Sequence, residues 1–125
     1  MKIKDSLTEK IIAACFKVHS ELGPGFSEKV YHNAVKVALS VANLNYQTEK
    51  EFKIYYERKR VGSLRVDLIV EDKVIIEIKA ITGHLPEVYR HQLLSYLKIA
   101  DLHVGLMVNF GNSSCEIKRL SGQSV

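Results

Sequence analysis

Cysteine is scarce in this sequence: two in 125 residues, at positions 15 and 115. A disulfide-stapled scaffold is therefore excluded, and Cys15 and Cys115 read as reduced thiols. Cys15 and His19 stand four residues apart, as a metal-binding pair would, but no second pair follows at zinc-site spacing. Long apolar runs are missing too; none approaches the roughly 18 residues of a membrane helix. Met1-Lys2-Ile3-Lys4-Asp5 lacks the apolar stretch of a signal peptide, so the cytoplasm is the expected compartment and no membrane partner is expected. Charge of one sign is only slightly in excess, with 18 Lys and Arg against 14 Asp and Glu, a net +4. That excess suits a polyanionic partner without selecting one. Internal repeats, low-complexity tracts and long linkers are absent. The length suits one hydrophobic core, and a single domain over residues 1–125 is expected.

What is present is periodicity that changes along the chain. From Asp5 to Leu22, Leu7, Ile11, Cys15, Val18 and Leu22 recur at three- and four-residue intervals and predict an amphipathic helix. Gly23-Pro24-Gly25 stops it. Ser27 can cap a second helix through about Ala42, with Val30, Ala34, Val37 and Val41 as its expected buried stripe. From Tyr46, Phe52, Ile54 and Tyr56 alternate with charged residues as in a half-exposed strand, and Glu57 to Arg60 with Gly62 reads as its turn. Leu64–Val70 and Val74–Ile81 are β-branched and apolar on both faces, which predicts strands covered on both sides. Pro86 opens a third helix to about Ala100, with Leu93, Leu94 and Leu97 facing the core. Val104–Phe110 and Cys115–Leu120 read as two more strands, with a tail from Ser121 to Val125 expected to fray. The architecture predicted is α/β: a mixed sheet in which an antiparallel meander feeds one βαβ crossover, flanked by helices.

The chemistry lies in charges set inside apolar strands. Asp67 sits in Arg65-Val66-Asp67-Leu68-Ile69-Val70, and Glu77 and Lys79 sit in Val74-Ile75-Ile76-Glu77-Ile78-Lys79-Ala80. Ionised carboxylates in a covered strand are costly unless a cation or hydrogen-bond donors satisfy them. The Glu-x-Lys spacing alone carries nothing, because chance supplies about one such pair in a chain of this composition. Five are present, at Glu51, Glu57, Glu71, Glu77 and Glu116. Only the pair at Glu77 is enclosed by a long apolar run and preceded by a strand bearing an aspartate. Glu77 and Lys79 share a face, two residues apart on one strand. Asp67 joins them only if the hairpin is centred on Asp72, with an odd loop such as Glu71-Asp72-Lys73 or a bulge. The alternative for all three charges is a structural ion-pair cluster.

Asp67 followed by Glu77-Ile78-Lys79 on the next strand and then a helix resembles the core of the PD-(D/E)XK nuclease superfamily, whose fold is restriction-endonuclease-like. Gln92-Leu93-Leu94-Ser95-Tyr96 is similar to the Gln-x-x-x-Tyr motif of its RecB-type branch. Gly25-Phe26-Ser27-Glu28-Lys29-Val30-Tyr31 is similar to the Gly-x-x-Glu-x-x-Tyr pattern that names the GxxExxY family within it. His19, Leu22-Gly23-Pro24-Gly25 and Gly105-Leu106-Met107-Val108-Asn109-Phe110-Gly111 extend the resemblance from about His19 to Leu120.

The resemblance implies a nuclease that uses magnesium or manganese. Asp67, Glu77 and the backbone carbonyl of Ile78 would hold the ion, Lys79 would act on the attacking water, and Glu28 would be a further catalytic carboxylate, directly or through water. Gln92 and Tyr96, one helical turn apart, would support the site or touch a phosphate. The substrate implied is DNA, with RNA second, and a chain this small is expected to lean on a second copy or a protein partner to hold a duplex. Two other readings stay open: a catalytically silent nucleic-acid-binding or protein-interaction module, and a hydrolase of another phosphate ester. Glu28 can equally be a solvated first-turn carboxylate, Tyr31 and Tyr96 core residues, and His19 a structural cap. Arg58-Lys59-Arg60, with Tyr55 and Tyr56 beside it, could follow a phosphate backbone or be a solvated turn.

Overall fold

The computed structural model describes residues 5–122. Residues 1–4 and 123–125, which include most of the N-terminal segment and of the tail discussed above, lie outside the described residues. The helices are α1 (Ser6–Leu22), α2 (Glu28–Val41) and α3 (Glu87–Ala100). The strands are β1 (Tyr46–Tyr56), β2 (Lys59–Val70), β3 (Val74–Lys79), β4 (Val104–Asn109) and β5 (Glu116–Ser121). They form one sheet in the order β1-β2-β3-β4-β5, with β3 and β4 parallel and every other pair antiparallel. This is the expected mixed sheet: a meander, then one crossover through α3.

Both faces of the central strands are covered. On one face Leu68, Val70, Ile76, Ile78, Leu106 and Val108 pack with Ile11, Cys15, Val18, Tyr31, Val35 and Leu39 of α1 and α2. On the other, Val66, Ile69, Ile75 and Met107 pack with Leu93 and Leu97 of α3. Gly105 allows the closest approach, since a Cβ there would stand 2.9 Å from a Leu93 methyl. Asp5 starts α1 by accepting from the Leu7 and Thr8 amides at 3.0 and 3.4 Å, and Gly23 ends it at φ 70.

The structure corrects several expectations. Helix α2 buries Tyr31, Val35 and Leu39, while Val30, Val37 and Val41 are exposed, Val41 at 72%. The two stripes lie side by side on the helix, and the larger Tyr31 and Leu39 remove more apolar area from water than valines do. Ser27 stands at the N-cap of α2, but its carbonyl and not its hydroxyl serves the first turn, accepting from the Val30 and Tyr31 amides. Leu22 closes the α1 stripe but is 38% exposed. Pro86 is the N-cap of α3, not its first turn. Strand β3 ends at Lys79, two residues early.

The hairpin between β1 and β2 is also tighter than expected. Its turn is Glu57-Arg58 alone, both at positive φ (49° and 64°), so Lys59 and Arg60 already belong to β2. Positive φ at both central residues is the geometry that matches the twist of paired strands, here adopted without glycine. The pairing shifts between Ile54 and Tyr55, which leaves Val61 as an extra residue in β2.

Candidate functional site

The β2–β3 hairpin has the register on which the carboxylates depend. Leu68, Ile69 and Val70 face Ile76, Ile75 and Val74, so the hairpin is centred on Asp72 with Glu71-Asp72-Lys73 as its loop. Glu71 and Asp72 both hold positive φ. One step further, Asp67 comes level with Glu77, and there the backbone ladder stops. The two carboxylates take over the open donors: Glu77 Oε2 accepts from the Asp67 amide at 2.9 Å, and Asp67 Oδ2 accepts from the Ile78 amide at 2.8 Å. Strands β2 and β3 thus part in a fork whose inner edges are bridged by acidic side chains.

The electrostatics of the fork are uneven. Glu77 is 6% exposed. Burial first, and then the charge of Asp67, push its carboxyl up to about 8, while the Asp67 amide and Lys79 pull the other way. Lys79 is half-buried, and its Nζ lies 4.0 Å from the centre of the Tyr89 ring on α3. That platform holds an ammonium near the fork by its ring face. Among the described residues no ion pair joins Lys79 to either carboxylate. The fork therefore has an excess of negative charge once Glu77 ionises.

Glu28 reaches the site from the first turn of α2. With Asp67, Ile78, Glu49, His32 and Asn33 it lines a cavity of about 260 Å³, and it adds slightly to the upward push on Glu77. It is exposed, and among the described residues no three His, Cys, Asp or Glu side chains converge to hold a metal ion. On the α3 side, the Tyr96 hydroxyl is pushed up by burial and by the charges of Glu77 and Asp67, with hydrogen bonding from Gln92 opposing the shift. Tyr96 thus stands within the field of both carboxylates, while Gln92 is exposed.

Tyr31 is a buried anchor. Its hydroxyl donates to the Gly23 carbonyl at 2.5 Å and accepts from the Phe26 amide at 3.2 Å, and its ring stacks on Phe110 at 4.6 Å. It fixes the turn that delivers Glu28. His19 stacks on the same Phe110, with Nε2 2.8 Å from the Asn112 carbonyl, so its role is structural. Glu116, which opens another of the five Glu-x-Lys pairs, accepts from the Asn109 and Asn112 side-chain amides at 3.1 and 2.6 Å and is also structural.

Two features escaped the sequence reading. Tyr89 shares its helix face with Leu93 and Tyr96 through spacings of four and three, and that periodicity was its only signal. Asn109 is fully buried, and its amide pairs with both the N–H and the C=O of Ile81 at 2.9 Å. Asn112 does the same for Gly83, at 2.8 and 3.0 Å. These two side chains clamp the segment that follows Lys79 onto the end of β4. Gly111 permits the contact, since a Cβ there would lie 2.4 Å from the Ile81 backbone.

The sheet is mixed and covered by helices on both faces, and two carboxylates meet where its second and third strands part. The chain belongs to the PD-(D/E)XK nuclease superfamily, which residues 5–120 match. Among solved structures, the crystal structure of SSO0001 is similar in fold, with a TM-score of 0.61 and 21% identity over 96% of this chain. This chain spans 60% of the length of that one. No curated protein matches the sequence. Among the described residues no helix is long and apolar enough to cross a membrane.

Proposed function

We propose that this chain is a metal-dependent nuclease of the GxxExxY type, acting on DNA, with RNA as the second candidate, and using magnesium or manganese. The observation that carries the reading is the fork, where Asp67 and Glu77 meet at the end of the β2–β3 ladder with Lys79 two residues beyond. The donor set fits a hard divalent ion. Asp67, Glu77 and the Ile78 carbonyl offer only oxygen, and the resistance of Glu77 to ionising beside Asp67 is what a cation would relieve. With so few protein ligands, water and substrate phosphate would complete the shell, as magnesium prefers.

A bound divalent ion supplies Lewis-acid polarisation of the scissile phosphate and a more acidic water. The chain's own groups do the rest. Asp67 and Glu77 would hold that ion at the mouth of the fork. Lys79, steadied on Tyr89, orients the attacking water and offsets the charge that develops on the phosphorus oxygens. Glu28 lines the same cavity as Asp67 and can bind through water. Gln92 and Tyr96, read as the RecB-type pair, support the α3 side of the fork, where Tyr96 lies in the field of Glu77 and Asp67.

The test is cleavage of single- and double-stranded DNA and RNA with magnesium, manganese or chelator. Asp67→Ala and Lys79→Ala are expected to lower the rate by on the order of 10²–10³-fold. Unchanged cleavage in both variants would remove the site. A wild-type chain that cuts none of the four substrates would favour a silent binding module on the same fold.

A further inference from the structure

The β1–β2 hairpin is far longer than the sheet requires. Strand β3 pairs only with Leu68–Val70, so from Val66 outward β2 has β1 as its one strand neighbour. From the pair Lys50–Val66 to the pair Tyr56–Lys59 this two-stranded ribbon extends about 20 Å beyond the fork, at roughly 3.3 Å per residue. Its base is held, with Phe52 and Leu64 packed against the α3-side core. Its tip is bare: Tyr55, Tyr56 and the bulged Val61 are 59%, 70% and 61% exposed.

Charge is concentrated in the same segment. Residues 50–66 hold six cations, Lys50, Lys53, Arg58, Lys59, Arg60 and Arg65, against Glu51 and Glu57. That net +4 equals the net charge of the whole chain, and the twelve cations and twelve anions elsewhere cancel. Among the described residues no ion pair engages Arg58, Lys59 or Arg60. Register sets each tip tyrosine across from a cation, Tyr55 opposite Arg60 and Tyr56 opposite Lys59. Because neighbouring residues on a strand face opposite ways, the tip presents one aromatic ring and one cation on each side.

We infer that this ribbon is a single-strand-holding arm: its cations grip the phosphates of the nucleic acid that enters the fork, and Tyr55 and Tyr56 stack on unpaired bases. The inference rests on the nuclease reading of the fork, because the ribbon springs from β2 at the residue before Asp67. Exposed rings beside cations suit bases whose faces are open, whereas an intact duplex offers its phosphates but keeps its bases stacked.

The experiment measures binding of fluorescent oligo(dT) and of a blunt DNA duplex to the full chain, in chelator, across a salt series. Tyr55→Ala combined with Tyr56→Ala is expected to weaken single-strand binding by about tenfold or more and duplex binding far less. Tyr55→Phe with Tyr56→Phe should restore it. Replacing Arg58, Lys59 and Arg60 with Ala should lower the single-strand salt slope by about 2, near 0.7 per phosphate contact. All the replaced side chains are exposed, and an unchanged melting temperature checks the fold. Single-strand affinity that survives the tyrosine-to-alanine change, or a salt slope that survives the loss of three cations, overturns the arm. If the arm variants bind and cut as wild type while Asp67→Ala stops cleavage, the arm fails and the nuclease reading stands. If the wild type cuts nothing yet the arm variants lose binding, the reverse holds.

Discussion

Glu77 should make the metal-free protein alkali-sensitive. Its carboxyl is raised to about 8 in the fold, against 4.5 for the same group unperturbed. Between those values the folded chain keeps a proton that the unfolded chain has released. Stability from this source is therefore complete below the lower value and is lost as pH rises through the upper one. From pH 5 to 9 the loss is at most about 4 kcal/mol, a large share of the roughly 5–15 kcal/mol of a typical domain. Glu77→Gln cannot ionise, yet its amide oxygen can still accept from the Asp67 amide. In chelator, the wild-type melting temperature should fall by roughly 12–20 °C more than that of Glu77→Gln over this interval. Magnesium should flatten the wild-type profile by favouring the charged form and leave the variant little changed. Thermal unfolding followed by circular dichroism in steps from pH 5 to 9, with and without the ion, is the assay. Parallel wild-type and variant curves in chelator would refute the account of the fork as a site short of positive charge.

Other perturbations reach the supports of the site. Asn109→Leu strands the Ile81 N–H and C=O and the Gly111 N–H; a loss of about 3 kcal/mol or more in urea unfolding is expected. Gly111→Ala should cost about 1–3 kcal/mol, since its Cβ must displace the Ile81 backbone; an unchanged urea midpoint would contradict that contact. Tyr31→Phe keeps the stack on Phe110 but orphans the Gly23 carbonyl and the Phe26 amide. It should lower stability by about 1–3 kcal/mol and speed hydrogen exchange at Phe26. Burial, with Cys115 adding to it, pushes the Cys15 thiol up to about 12, so a thiol reagent at pH 8 should modify it only after unfolding.

Much of this molecule was legible from pattern alone, and the limits have physical causes. Period-two and period-3.6 spacings are local, so element order and the crossover followed directly. The hairpin centre at Asp72 could be stated only as a condition for the site, because a one-residue slip reverses every side chain and only one parity brings Asp67 level with Glu77; the pairing meets it. The buried face of α2 could not. Its two candidate stripes are equally periodic, and Tyr31 won through a partner, Phe110, nearly eighty residues away. The turn at Glu57-Arg58 hid because residues with side chains occupy a conformation usually marked by Asn or Gly. Asn109 and Asn112 were invisible as a device because their partners are backbone atoms, which sequence does not label.

The asparagine clamp has a consequence for how a turnover cycle would be paced. In many enzymes the segment after a reactive residue swings as a lid, and its opening sets the pace of product departure. Here the stretch from Ile81 to Gly83 is tied amide-to-amide to the end of β4, with Gly111 pressed against it. That wall is a fixed jaw. If the fork is the nuclease site proposed, any closure over a bound strand would have to come from an element other than the loop beside Lys79.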